Sequence, residues 1–420
     1  MTEPASSNGN TMHPAIRLFA VNWAVYLAGM NDATTGALTP FLQSAYNIGL
    51  FPIALVYLIN FAGFLVAAFT NVHISSRIGM GGTLLFGALS QLFAYCLMFW
   101  KPPYPLFACA YFLSGLGVAY QDAQVNSMVA NLPNAHWWLG VLHAVYGLGA
   151  LVSPLVATTI ATKTAYWHYY YLVLLGFAFI NVVLLAGSFR KGLGRPDSVS
   201  SKTEASDSLK GALSQKAVWA LSAFFFLYVG AEVTIGGWVV EFLIAVRHGS
   251  ENQVGYIASG FWGGLTLGRV ALADLTHKFG ERRTVFIYIA IGLVLHVLFW
   301  VIPNIIVNAV LVSLLGFVIA PFFPAGLSVL TQVVPRDQHL ASIGFTATVG
   351  QAGSAAFPFL TGAVASKAGV AVLQPIVLAL LAGMAVLWFF VPQAKADGSP
   401  EPPTPEEVSA AEEKDPSTVV

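Results

Sequence analysis

The sequence predicts an all-α membrane protein of twelve transmembrane helices in two six-helix repeats, and three observations carry that prediction. Of 420 residues, 57% are hydrophobic and 9% charged, with a mean hydropathy of +0.72; a soluble domain carries about 25% charged residues. The charges are clustered: residues 190–216 hold nine, residues 393–420 hold nine more, and the other 365 residues hold only 20. Twelve apolar runs also follow one another along the chain, each near the roughly 20 residues that cross a hydrocarbon core of about 30 Å.

The runs lie near 16–38, 51–72, 82–100, 105–130, 139–161, 168–189, 217–245, 253–276, 284–302, 305–331, 339–363 and 372–392. They are continuous rather than alternating, which predicts helices and not barrel strands. The chain divides into an N-terminal tail (1–15), a first six-helix bundle (16–189), a polar Ser-rich linker (190–216), a second bundle (217–392) and a Pro- and Glu-rich acidic tail (393–420) expected to be disordered. With the N-terminus inside, 14 Lys and Arg face the cytoplasm and four (Lys101, Lys163, Arg247 and Lys367) face out. That bias places both termini and the linker in the cytoplasm. The polar start, Met1 to Asn10, lacks the basic-then-apolar pattern of a signal peptide. The expected setting is the plasma membrane, as a monomer in the lipid bilayer.

The two bundles read as copies. Ser75-Ser76-Arg77-Ile78-Gly79 and Thr83 align with Thr276-His277-Lys278-Phe279-Gly280 and Thr284 at an offset of 201. Pro133 then matches Pro335, His136 matches His339, and Pro154 matches Pro358, with the offset drifting to 204. A carrier built of two repeats places its site near the midplane between them.

Ionisable groups within spans are expensive, so each needs an account. In the first span Asp32 follows Asn31 and shares a helix face with Gly29, Thr35 and Gly36, a small and polar surroundings that suits a water-lined cavity. In the fourth span Asp122 and Asn126 stand one turn apart, flanked by Gln121 and Gln124. In the seventh, Glu232 falls within a turn of the repeat position of Asp32. One turn further, Gly236-Gly237 reads either as a break in a helix lining a pathway or as a tight helix crossing. Glu241, nearer the outer end, is expected to be hydrated. Arg269 either pairs with an acid or snorkels to the interface beside Asp274. His143 reads as a ligand, a proton carrier or an interhelical hydrogen-bonding group. Trp238, Trp262 and Phe323 are aromatic candidates for stacking on a solute, or packing residues.

Several functions are excluded. Zero net charge leaves no basic footprint for nucleic acid. No phosphate-cradling Gly loop, metal-ligand cluster or Gly-x-Ser-x-Gly elbow is present, so neither an enzyme nor a cofactor is expected. Cys96 and Cys109 both lie in apolar runs and read as packing residues. Without a nucleotide site, uphill transport would depend on an ion gradient, and a buried carboxylate that binds and releases a proton would supply the coupling.

Twelve helices in two repeats with a central linker resemble the major facilitator superfamily over about residues 14–392. The loop elements of that superfamily are matched by Gly268-Arg269, Asp274 and Lys278-Phe279-Gly280-Glu281-Arg282-Arg283; the first copy, His73 to Gly79, lacks the acid. Within it, Asn31-Asp32 and Gly115-Leu116-Gly117 followed by Asp122 and Asn126 are similar to motifs of the fucose–proton symporter family. In this chain Asp replaces that family's Glu and two residues are inserted. The stretch Gly230 to Trp238 resembles the fungal permeases of the bypass-of-stop-codon type. The resemblance implies sugar-binding and proton-coupling roles for Asp32 and Asp122.

Together these readings predict a proton-coupled symporter of a small polar solute such as a sugar. Its partners are that solute and protons. Asn31, Asp32, Gln121, Asn126, His143, Glu232, Trp238 and Gln351 are the expected solute ligands. Asp122 and Asp32 are the expected proton carriers, and Gly236, Gly237, Arg269 and Asp274 the expected gating residues. The alternatives are an exporter of drugs or secondary metabolites, favoured by a roomy apolar cavity, and a transport-inactive receptor or scaffold.

Overall fold

The computed structural model describes residues 14–133, 135–164, 166–190, 210–335 and 338–392. The predicted C-terminal tail, residues 1–13 of the predicted N-terminal tail and all but the ends of the predicted linker lie outside the described residues. The N-terminal half comprises α1 (Pro14–Tyr46), α2 (Leu50–Met98), α3 (Tyr104–Ala130), α4 (Ala135–Lys163) and α5 (Tyr170–Phe189). The C-terminal half comprises α6 (Lys216–Ala245), α7 (Glu251–Ala271), α8 (Ala273–Phe279), α9 (Glu281–Val301), α10 (Ile305–Ile319), α11 (Phe322–Val333), α12 (His339–Ala368) and α13 (Leu373–Phe390).

These helices resolve into twelve spans. α2 is 49 residues long and would measure about 74 Å if straight. Gly79, at φ 72° and ψ 170°, divides it into two spans. In the other direction, α10 and α11 form one span interrupted at Ala320-Pro321, where proline supplies no backbone N–H. Seven helical stretches, one of them the double α2 and another the joined α10–α11, are long and apolar enough to cross a membrane on length and composition. The remaining four spans, α1, α3, α7 and α12, fall below that standard because small and polar residues dilute them, and all four contribute to the central cavity. On the outside, large side chains such as Phe69, Ile306 and Val301 stand exposed, as suits a surface that meets lipid rather than water.

The duplication is visible in the backbone. Gly79 and Gly280, 201 residues apart, both take positive φ, 72° and 85°. At each, a threonine four residues on (Thr83 and Thr284) returns its hydroxyl to the glycine carbonyl, at 2.9 and 3.0 Å. Asn47 and His248, also 201 apart, both take positive φ just beyond the ends of α1 and α6. Helix crossings repeat as well. A Cβ on Gly63 would lie 2.2 Å from the Phe112 carbonyl oxygen, and one on Gly264 would lie 2.0 Å from that of Ser313. Backbones approach this closely only where no side chain intervenes, and in lipid such packing is a main source of helix association.

Within the N-terminal half α2 packs on α3 and α1 on α4; in the C-terminal half α6 packs on α12 and α7 on α10. Between halves the packing pairs are α4 with α7, α2 with α12, and α1 with α6. These seams lie away from the Gly79 and Gly280 turns. There Thr159 and Tyr256 bond at 3.0 Å, and a Cβ on Gly362 would meet Trp238 at 2.4 Å and Ala54 at 2.5 Å. α6 runs unbroken through Gly236-Gly237, so the expectation of a broken helix is not met. The pair instead serves a crossing: a Cβ on Gly36 would sit 2.1 Å from the Gly236 carbonyl oxygen, and one on Gly237 would meet the Tyr57 hydroxyl at 2.2 Å.

Gly36→Ala should therefore force α1 and α6 apart, because a backbone carbonyl cannot rotate away, at a cost of about 1–3 kcal/mol. In a background lacking Cys96 and Cys109, a cysteine at Asn60 should become several-fold more reactive toward an impermeant thiol reagent added at the end away from Gly79. Unchanged labelling would show that this crossing does not close that end.

Candidate functional site

Two connected chambers, of about 80 and 140 Å³, lie between the halves. They share a waist formed by Asp32, Phe64, Tyr146, Val229, Glu232 and Gln351. The chamber away from the Gly79 and Gly280 turns, labelled outer for its place relative to them, adds Asn31, Thr35, Tyr57, Asn60, Tyr111 and Ser354. The inner chamber adds Gln91, Gln121, Asp122, His143, Arg269 and Phe323 among others. Asp122 is exposed within the inner chamber, eight residues or about 12 Å from the end of α3.

At the waist Asp32 is held on both oxygens. Asn31 Nδ2 donates to its Oδ1 at 3.0 Å, and Tyr146 Oη donates to its Oδ2 at 2.8 Å. Asn31 is itself fixed, because its own Oδ1 accepts from Tyr95 Oη at 3.1 Å and from Ser114 Oγ at 2.6 Å. The placement of Tyr146 follows from small residues: a Cβ on Gly29 would lie 2.0 Å from the Tyr146 carbonyl oxygen, and one on Gly149 would lie 2.1 Å from that of Tyr26. α1 and α4 therefore touch along their backbones, and the Tyr146 ring reaches Asp32.

The C-terminal half contributes an ion pair. Arg269 Nη2 lies 3.3 Å from Glu232 Oε1, with side-chain exposures of only 13% and 7%. Of the two readings open to Arg269, the structure takes pairing with an acid. Tyr228 adjoins both groups, and His143, from the opposite half, faces Arg269 and packs edge-on against Phe323 at 5.7 Å. The cavity thus sets three carboxylates, Asp32, Asp122 and Glu232, against one arginine, a field that disfavours anions.

Asn31, Asp32, Gln121, Asp122, His143, Glu232, Arg269 and Gln351 all line the cavity. Others of the expected set do not. Trp238 is fully buried in helix packing, with its Nε1 donating to the Pro358 carbonyl at 2.9 Å. Asn126 lies outside the chamber walls and turns back on its own helix, donating to the Asp122 carbonyl at 2.9 Å and to Asp122 Oδ1 at 2.8 Å. Asp274 is exposed on α8, away from the cavity, and Arg269 does not turn to it. Gln121 is tied between Gln91, at 2.6 Å, and Asn181, at 2.8 Å, which makes it interhelical glue as well as wall. Glu241 is 8% exposed rather than hydrated, with Oε2 unpartnered among the described residues. Sequence reasoning missed Tyr146, Tyr57, Asn60 and Tyr111. Asn60 stands within a turn of Tyr57 on α2, an amide in an otherwise apolar run, and that signal was available. Among the described residues no three His, Cys, Asp or Glu converge to hold a metal ion.

Removing one member of the Glu232–Arg269 pair strands the other charge, at about 3–5 kcal/mol. Glu232→Gln and Arg269→Gln should each lower the thermal midpoint of the purified protein more than the double variant does. Additive losses would show that the two side chains stabilise the fold independently.

The sequence signature of the Major Facilitator Superfamily matches residues 21–248 and again 221–419. Among characterised relatives, Bypass of stop codon protein 6 of Saccharomyces cerevisiae is 27% identical over 400 residues, covering 87% of this chain and 80% of that one. Glucose/mannose transporter GlcP of Bacillus subtilis is 23% identical over 347 residues, covering 80% and 85%. Among solved structures, the Major Facilitator Superfamily transporter FucP in the outward conformation superposes with a TM-score of 0.64 at 16% identity, over 90% of this chain and 99% of that one. The same two-repeat, twelve-span architecture and a signature running nearly end to end give one result: the chain belongs to the Major Facilitator Superfamily, as a multi-pass membrane carrier and not an enzyme.

Proposed function

We propose that this carrier is a proton-coupled symporter of a neutral, hydroxyl-rich solute, with a hexose as the first choice, working by alternating access at the plasma membrane as a monomer. The observation that carries the reading is the waist: Asp32 from one half and Glu232 from the other line both chambers, with amides and aromatic rings around them. Carboxylates and amides exchange hydrogen bonds with sugar hydroxyls, while ring faces cover the apolar side of a pyranose. Tyr57 Oη and Asn60 Oδ1 are buried without a partner among the described residues, and buried polar atoms of this kind favour a solute that satisfies them. The relative named as a glucose/mannose transporter supports the same class.

The basic loops around Lys278, Arg282 and Arg283 lie at the Gly280 end, and we assign that end to the cytoplasm. In this orientation the α1–α6 crossing closes the outer side, and the inner chamber with its exposed Asp122 faces inward. A carboxylate shut away from water is held more readily neutral than charged. Asp122 would then take a proton while the cavity faces outward, keep it through the closed state, and release it into the open inner chamber. Solute leaves by the same route. The Glu232–Arg269 pair stays neutral overall through the cycle, so the translocated charge is the proton.

Asp122→Asn should abolish uphill glucose accumulation driven by an inward proton gradient in proteoliposomes, while retaining glucose counterflow, because exchange needs binding but no net proton release. Normal accumulation by that variant would make Asp122 a packing residue.

A further inference from the structure

The geometry points to Tyr146 as a positioning residue that steadies the charged form of the Asp32 carboxylate and ties the proton of that group to the seam between the halves. The inference rests on the expectation from the sequence that Asp32, like Asp122, binds a proton. Among the described residues, the hydrogen-bond donors to Asp32 are Asn31 and Tyr146 alone. They differ in kind. Asn31 is clamped by Tyr95 and Ser114 within the N-terminal half and is itself only 5% exposed, so its bond is a constant. Tyr146 stands on α4, the helix that packs across the seam on α7. Its neighbour Gly147 touches the C-terminal half so closely that a Cβ there would lie 2.4 Å from Thr266 Oγ1.

The surroundings make this donor decisive. The charged groups facing Asp32 are Glu232 on α6 and Asp122 on α3, both of its own sign, while Arg269 on α7 is already engaged by Glu232. Of the other titratable groups, Tyr57 on α2 and Tyr111 on α3 line the same chamber without bonding Asp32, Tyr95 reaches it only through Asn31, and His143 lies on the inner side of the waist. Burial and flanking like charges both favour the neutral form of such a carboxyl, and the hydrogen bonds that its charged form accepts are what oppose them. The Tyr146 hydroxyl also faces Glu232 and Arg269, so rearrangement of the seam acts on the same phenol that steadies Asp32. That is a direct physical link from the position of the halves to the proton on Asp32.

The test uses the full-length protein in lipid vesicles and needs no solute, so a failure of the sugar reading would leave it intact. The infrared band of a protonated carboxyl that is lost in Asp32→Asn is followed against pH. In Tyr146→Phe the band should persist to a pH about one unit more alkaline than in the native protein, since the charged form loses one of its two donors. Tyr146→Gln, which keeps a donor, should fall between them. If Tyr146→Phe does not accumulate, Tyr146→Leu against Tyr146→Gln, alike in size and different in donor, decides the same question. A midpoint that is the same with and without the donor would overturn the inference.

Discussion

A charge inside a bilayer has to be paired, hydrogen-bonded or reached by water, and that constraint organises the interior of this protein. The cost of leaving it uncompensated is several kcal/mol even on the most lenient scales. Each intramembrane charge at the centre has its remedy. Asp32 takes two donors, Arg269 and Glu232 take each other, and Asp122 opens onto a chamber. The remedies need spans polar enough to supply partners. The four spans that fail an apolar standard all reach the cavity, where they stand beside polar side chains of the more apolar α2, α4 and α6.

Small residues then decide how near the remedies can stand. Gly29 and Gly149 let α1 and α4 meet, which brings Tyr146 within 2.8 Å of Asp32. Gly36 lets α1 meet α6 at Gly236, which closes one end of the cavity. The first contact lies inside a half and the second between halves. A carrier that rocks its halves would preserve the first backbone contact and break the second, while the Tyr146 hydroxyl, which also faces Glu232 and Arg269 of the other half, senses the change.

Much of this was legible in the residues. Hydropathy and charge placement gave the twelve spans, and the offset of 201 found the two loops whose glycines adopt the same positive φ. Asp32, Glu232 and Arg269 announced themselves by charge alone. Partnership did not. Nothing in the sequence separates the pairing of Arg269 with Glu232 from snorkelling toward Asp274, because the choice rests on how α6 and α7 pack. Tyr146 is one aromatic among 15 tyrosines, and only the α1–α4 crossing gives it a carboxylate to bond. Of the two readings open to Gly236-Gly237, the break failed for a related reason and the crossing held. Helix propensity penalises glycine by about 1 kcal/mol in water, which suggests a break, whereas a crossing in lipid rewards the missing side chain and the helix continues. Trp238 failed as a ligand because packing against Gly362 and the Pro358 carbonyl claims both its face and its nitrogen.

Coupling joins sugar and proton movement in one event, since the waist opens onto the chamber that holds Asp122. Proteoliposomes holding the native protein and a lumenal pH dye, with no gradient imposed, record the two together when glucose is added outside. The lumen should acidify in step with glucose entry, and an uncoupler that dissipates the pH change should speed that entry. Glucose entering at full rate with no change in lumenal pH would contradict the account.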